Sequence, residues 1–221
     1  MASGIDLSHL REGLILYIIL IASLCIHEWA HAITADRLGD DTPRSQGRVT
    51  LNPLAHMDLF GSVLFPLLSI FVFPGGLLFG WGRPVMIDPA NFAPHRKRGE
   101  VLTTLAGPVS NLVLALLAAV IGGLAFRADP RTIELFRLAL IINVALAVFN
   151  LIPLPPLDGG QLLRHAVGMS EQTFFNISRW SFLIIIVAFS IPQVRGLLGA
   201  LMALVSWPFI AIFRTVAMGM G

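Results

Sequence analysis

The amino-acid sequence predicts an all-α polytopic membrane protein, with five or six transmembrane helices and a re-entrant or short β element between the first and third apolar segments. Three observations carry that prediction. The 221-residue chain is 56% apolar and only 13% charged, with a mean hydropathy of +0.80, whereas water-soluble domains carry nearer a quarter charged residues. Six nearly uncharged stretches recur along it, at roughly 13–36, 59–80, 101–126, 138–157, 174–194 and 196–213, and a helical span needs about 20 such residues. The basic residues gather in the short loops between these stretches, which is a pattern of membrane topology and not of a nucleic-acid-binding face. The expected surroundings are therefore the lipid bilayer, and no nucleic-acid partner is expected.

Taken in order, the first segment follows "MASGIDLSHLREG", which holds Asp6 and Glu12 and no small-residue cleavage site. It reads as a retained helix and not as a signal peptide. Its Cys25 is the single cysteine, so neither a disulfide framework nor a cysteine metal cluster is expected. The second segment, "LFGSVLFPLLSIFVFPGGLLFG", is interrupted by Pro66, Pro74, Gly75 and Gly76. Such a segment is either a kinked span or a re-entrant one that enters and leaves on one side. Charge counting arbitrates. If all six stretches cross, the fifteen Lys and Arg split almost evenly. If the second is re-entrant, Arg37, Arg44, Arg48, Arg83, Arg96, Lys97, Arg98, Arg164, Arg179 and Arg214 share one side, against Arg11, Arg127, Arg131, Arg137 and Arg195 on the other. The second arrangement fits the positive-inside rule better and puts the larger set in the cytosol. The flanking runs "GRVTL" (47–51) and "RPVMI" (83–87) read as short strands. The third segment carries Pro108 and Asn111, and the fourth ends where Pro153, Pro155 and Pro156 break the helix. The fifth starts near Arg179, whose stem can snorkel to the interface. No repeat or separate soluble unit is visible. Residues 1–221 read as one domain, with a core over about 14–165 and C-terminal helices over about 171–217.

The first segment contains "CIHEWAHAIT", residues 25–34. Ionisable groups at membrane depth are costly and usually functional. His27 and His31 are four apart, which puts both imidazoles on one helix face, where one zinc ion can take both. Glu28 projects beside them and can take a proton from an activated water and pass it to a leaving amine. This is the H-E-x-x-H arrangement of zinc metalloproteases. The bland alternative, histidines bonded to neighbouring helices and Glu28 paired with an arginine, does not explain why all three groups stand at this spacing in one apolar helix. Catalytic zinc usually has three protein ligands, so two histidines require a third elsewhere. Asp158 is the only acid in "NLIPLPPLDGGQLL", residues 150–163. It can be that ligand, or the N-cap of the helix that follows, and the need of His27 and His31 for a partner favours the ligand. Gly159 and Gly160 permit close approach of another element. Parity agrees: with a re-entrant second segment, the ends of the first and fourth segments meet on the cytosolic side. His56 reads as a polar loop residue in preference to an extra ligand. Asn111 reads equally as a contact to the His helix or as helix-to-helix glue.

These residues carry a family likeness. "HEWAH" and "NLIPLPPLDGG" resemble the H-E-x-x-H and N-x-x-P-x-P-x-L-D-G motifs of the site-2 protease family of intramembrane zinc metalloproteases. "GRVTLNPLAHMD", "FGWGRPVMIDPANF" and "LAGPVSNLVLA" resemble its compact bacterial and archaeal branch, without a PDZ or CBS module. The likeness covers roughly residues 14–165. It implies Zn2+ bound by His27, His31 and Asp158, Glu28 as general base, and Asn150 positioning the substrate strand or stabilising the oxyanion. It also implies a transmembrane protein as substrate, cut within or near its membrane segment to release a domain toward the cytosol, as in regulated intramembrane proteolysis. The expected location is the prokaryotic plasma membrane, with the active site opening to the cytosol. The oligomeric state is not legible.

Peptide hydrolysis needs water. Thr34, Asp36, Asn52, His56, Asn111, Asn143, Asn150 and Asp158 are the polar residues expected to line a wet cavity. A substrate helix must unwind to expose a carbonyl and is expected to add as a strand to an edge near 47–51 or 83–87. Two other classes fit the sequence less well. A metal-ion transporter commonly has repeated halves and has no use for Glu28 directly after His27. A catalytically inactive relative that only binds membrane segments has no use for the full His27–Glu28–His31 set.

Overall fold

The structure, a computed structural model, describes residues 7–72 and 80–219. Among these, seven helices of eight or more residues frame the chain. They are α1 (Leu7–Arg37), α2 (Arg96–Ala128), α3 (Ile133–Asn150), α4 (Asp158–Val167), α5 (Glu171–Ser178), α6 (Ser181–Ser190) and α7 (Pro192–Met218). By length and composition, α1, α2, α3 and α7 can each cross a membrane. α5 and α6, bent by 54° at Arg179–Trp180, make a fifth if the pair is one span.

α2 is the central helix, and its sequence explains why. Gly99, Thr103, Gly107, Asn111, Ala115, Ala118 and Gly122 are buried along it at steps of three and four. Small side chains at that spacing let neighbouring backbones approach closely, which is how helices associate where lipid removes the hydrophobic drive between them. α3 and α7 pack on the Ala115–Ala119 part through Leu140, Val144, Val205 and Phe209. α1 packs on α3 through Leu20, Leu24, Ile142 and Leu146.

Between α1 and α2 the chain departs from the strand expectation. The described residues form no sheet. One antiparallel bridge, Met57 with Gly82, is extended by the Arg83 N–H donating to the His56 carbonyl at 2.7 Å. Residues 47–51 are a turn and bend that starts at Gly47 with φ +67°, and 83–87 are irregular. Pro84 removes one backbone donor there, and no partner strand runs alongside among the described residues. The Asp58 carboxylate accepts from the N–H groups of Phe60 (3.0 Å) and Gly61 (2.7 Å) and so starts a short apolar helix, Leu59–Val72. That helix is wound wide, as π turns, on either side of Pro66. Pro74, Gly75 and Gly76, the other expected interruptions of this segment, lie outside the described residues. A strap over residues 80–83 is pinned to the same helix: the Trp81 N–H donates to the Gly61 carbonyl, and Ser62 Oγ donates to the Trp81 carbonyl at 2.8 Å.

Candidate metal centre

α1 presents His27 (4% exposed) and His31 (7%) on one face, toward α2. The His31 Nδ1 lies 2.7 Å from the Thr103 carbonyl oxygen. A carbonyl only accepts, so this nitrogen carries a proton, and Nε2 is the atom turned to the centre of the site. The His27 tautomer follows from a longer chain. The Ala139 carbonyl accepts from the Asn143 amide nitrogen at 2.8 Å, which turns the Asn143 oxygen toward Asn111. Asn111 Nδ2 donates to that oxygen at 3.0 Å, so Asn111 Oδ1 faces His27 Nδ1 at 2.6 Å as the acceptor. His27 thereby donates from Nδ1, and its Nε2 is turned to the centre of the site. Asn143 Nδ2 also donates to Ser23 on α1. Asn111 therefore both touches the His helix and ties three helices together.

Asp158 is brought in by α4. The helix starts at Asp158 with Leu157 as its cap, and no side chain caps it, so the N-cap alternative does not describe Asp158. Its carboxylate lies 3.3 Å from His27 Nε2 and 3.5 Å from His31 Nε2, and Oδ2 is buried without a hydrogen-bond partner. Gly159 and Gly160 permit this placement. A Cβ on Gly159 would strike the Leu151 and Ile152 carbonyls, and one on Gly160 would lie 2.7 Å from the Pro155 Cα.

His27 Nε2 and His31 Nε2, 3.1 Å apart, and the Asp158 carboxylate therefore converge on one point, where a cation can take one donor atom from each. The separations of 3.1–3.5 Å match the edge of a tetrahedral zinc site, about 3.3–3.4 Å for metal–ligand bonds near 2.0–2.1 Å. Among the described residues this is the one group of three His, Cys, Asp or Glu placed to hold a metal. The donor set fits zinc in chemistry and in geometry. His56 is not part of it. Its side chain is buried in the loop, with Nε2 bonded to the Thr50 carbonyl at 2.8 Å, as the loop reading expected.

The three residues open onto a cavity of about 730 Å³, also lined by Glu28, Asn150, the strap from Gly80 to Ile87, and Glu100. Glu28 is 9% exposed, and Gly82 crosses it so closely that a Cβ there would lie 2.9 Å from its Oε1. Asn150 stands on the wall with its amide nitrogen donated to the Leu146 carbonyl of its own helix at 2.9 Å. Of the eight polar residues expected on the wall, only Asn150 and Asp158 line it. Asn111 and Asn143 sit behind the imidazoles, Asp36 pairs with Arg44, and Asn52 caps a turn. Four residues important to the site lay outside the sequence expectations: Thr103, Gly107, Glu100 and Arg164. A Cβ on Gly107 would lie 2.5 Å from His31 Cε1 and 2.6 Å from His27 Cε1, so only glycine leaves room for both rings. The spacing 100–103–107–111 on one helix was the available signal.

The sequence profile described as "Peptidase family M50" matches residues 127–191. "Putative zinc metalloprotease YwhC" of Bacillus subtilis is 35% identical over 186 residues, covering 80% of either chain. "Putative zinc metalloprotease Rip2" of Mycolicibacterium smegmatis is 34% identical over 188 residues, 81% of this chain and 69% of the relative. Its namesake in Mycobacterium tuberculosis is 32% identical over 181 residues, 80% of this chain and 66% of the relative. No solved structure gives a significant match.

Proposed function

We propose, from the premise that the chain belongs to peptidase family M50, the site-2 protease family of zinc metalloproteases, that His27, His31 and Asp158 hold its zinc and Glu28 is its general base. The observation that carries this reading is the convergence of two imidazole Nε2 atoms and a carboxylate from opposite parts of the chain. Zinc, when bound, supplies a Lewis acid that makes water a nucleophile near neutral pH and polarises a carbonyl.

The remaining work falls to the chain. Glu28 takes one proton from the attacking water as the water oxygen adds to the scissile carbonyl carbon. The C–N bond then breaks, and Glu28 passes the proton to the departing nitrogen, giving a carboxylic acid and an amine; the acid's proton then moves to the amine, leaving a carboxylate and an ammonium group. Asn150 turns its amide from the Leu146 carbonyl toward the developing oxyanion. The segment 83–87 runs beside the cavity, and an unwound substrate segment pairs with its backbone as an added strand. The substrate is a transmembrane segment of another membrane protein. The site faces the cytosol, which the basic residues Arg37, Arg44, Arg48, Arg83, Arg96, Lys97 and Arg98 around this end of the molecule support. The catalytic core runs over about 14–165, with α5–α7 completing the domain.

The test is zinc content in detergent-purified protein, wild type beside His27→Ala and Asp158→Ala. About one zinc per chain, lost in both variants, is expected. Glu28→Gln is expected to keep zinc and lose cleavage of a transmembrane test substrate. Zinc kept by Asp158→Ala, or normal cleavage by Glu28→Gln, overturns the reading.

A further inference from the structure

We propose that Glu100 and Arg164 are positioning residues that aim Asp158 at the two histidines. The inference rests on the reading that these three residues hold zinc.

α2 serves as a ruler for the site. Glu100, Gly107 and Asn111 share one of its faces, with Thr103 beside them, at helical steps of three and four. Asn111 fixes the ring of His27, the Thr103 carbonyl fixes that of His31, and Gly107 leaves the space that both occupy. Asp158 has no comparable direct restraint, since its Oδ2 has no hydrogen-bond partner. What α2 holds instead is the helix that Asp158 begins. Arg164 Nη2 donates to Glu100 Oε2 at 2.7 Å, and His165 Nε2 lies 3.1 Å from the same oxygen. The three side chains are only 13–17% exposed, so water screens the pair weakly. The Arg164 guanidinium also lies 5.7 Å from the centre of the Phe174 ring on α5, which keeps it in place.

The two ends of α4 divide the task. At its start, Gly159 and Gly160 press on the backbone of residues 151–155 and act as a pivot. A pivot leaves roll and tilt free. His165, seven residues on, shares the face of Asp158, so the contacts of Arg164 and His165 with Glu100 fix both. Glu100 thus does for the third ligand, through a helix, what Asn111 and Thr103 do for the first two directly. Outer-shell partners of metal ligands typically change affinity by 10–100-fold when removed.

The experiment measures zinc affinity of the full chain in detergent by competition with a chromophoric chelator. The proteins are wild type, Glu100→Ala, Glu100→Gln, Arg164→Ala, Arg164→Lys, the double alanine variant and Asp158→Ala. Thermal unfolding of each protein stripped of zinc is recorded alongside. Glu100→Ala and Arg164→Ala are each expected to weaken zinc binding about tenfold or more. The double variant is expected to be little weaker than the worse single one, and Arg164→Lys to recover most of the loss. The isosteric Glu100→Gln carries the test if Glu100→Ala does not fold. A purely structural pair would lower the unfolding temperature of the stripped protein and leave zinc affinity within twofold of wild type. That result, or losses that simply add in the double variant, overturns the proposal while leaving the zinc site standing. Wild-type affinity in Asp158→Ala, or no zinc bound by wild type, removes the site itself and this inference with it.

Discussion

Gly107→Ala adds a single methyl group to the middle of α2, and the structure says where it goes. Its carbon would lie 2.5 Å from His31 Cε1 and 2.6 Å from His27 Cε1, where ordinary contact begins at 3.4 Å. His31 Nε2 is nearer still, at 2.3 Å, so the rings must give by about 0.8–1.1 Å. They cannot swing freely, because both are buried and each is held through Nδ1, at 2.6 Å to Asn111 and 2.7 Å to the Thr103 carbonyl. α2 cannot easily back away either, since Asn111 and Ala115, one and two turns on, are fully buried. The helix itself should benefit, because alanine is favoured over glycine in a helix interior by about 1 kcal/mol. Unstable helix geometry is thus not a competing explanation for lost activity. Catalytic constellations tolerate displacements of roughly 0.5 Å, and a 1 Å misplacement can cost about 100-fold. The variant is expected to fold, with an unfolding temperature in the zinc-free state close to wild type. Zinc affinity and cleavage of a transmembrane test substrate should each fall by about 100-fold. Gly196→Ala on α7 is the control, since a Cβ there meets nothing within 4 Å. If Gly107→Ala binds zinc and turns over substrate like wild type, the close packing of α2 on the two rings is not a feature of the working enzyme.

Asn111→Ala removes the partner of His27 Nδ1 and of the Asn143 carbonyl in a site with no exposure; chelator competition should give zinc binding 10–100-fold weaker, with chemical denaturation showing about 1–3 kcal/mol of lost stability. Asn150→Ala should keep full zinc content and lower kcat by about 100-fold with a smaller change in KM; an unchanged kcat would leave Asn150 with only its helix-end bond to Leu146. Asp40, in the loop after α1, titrates below its usual 3.8: burial pushes it up, but hydrogen bonds from Thr42, Asn91 and the Asp88 N–H outweigh burial. A depressed carboxyl contributes stability that is present above its unfolded-state value and lost as pH falls through the folded one. Unfolding temperatures in detergent should therefore fall on acidification below about pH 4 in wild type, and less steeply in Asp40→Asn, which should also be less stable at neutral pH.

What the sequence made legible, and what it hid, follows from where each piece of information resides. His27, Glu28 and His31 are readable because their chemistry is in the side chains and their geometry in a local helical repeat. Asp158 is readable because it is a lone acid beside a proline-broken helix end. The second layer is mostly hidden because residue type does not encode it. Thr103 contributes a backbone carbonyl, which any residue would offer. Gly107 contributes empty space. Glu100 and Arg164 look like a solvated charge pair until the fold puts α4 against α2. The strand expectation at 83–87 failed for a related reason. Val85, Met86 and Ile87 have the composition of a strand, but a strand needs a partner ladder, and beyond the single Met57–Gly82 bridge no neighbour among the described residues supplies one. The end of the fourth segment at Asn150, and not at about 157, reflects Pro153, Pro155 and Pro156, which leave no N–H groups to continue the ladder.

The buried polar chain explains why the site can exist at this depth. Ser23, His27, Asn111 and Asn143 form one hydrogen-bonded line across α1, α2 and α3, ending on the Ala139 carbonyl. A line that ends on a backbone acceptor has one consistent direction. Every donor along it then points away from the candidate metal position, and His27 Nε2 points toward it. Reversing any amide would put two acceptors or two donors face to face in a buried setting, at about 1–3 kcal/mol for each unmet group. His31 reaches the same state independently through the Thr103 carbonyl. Both imidazoles are thus held with Nε2 toward the candidate metal position, with Asp158 set opposite. On the proposed ligand set, zinc joins two distant parts of the chain, so its binding should add directly to stability. Stripping zinc with a chelator should lower the unfolding temperature of wild type far more than that of His27→Ala, in which one proposed ligand is gone.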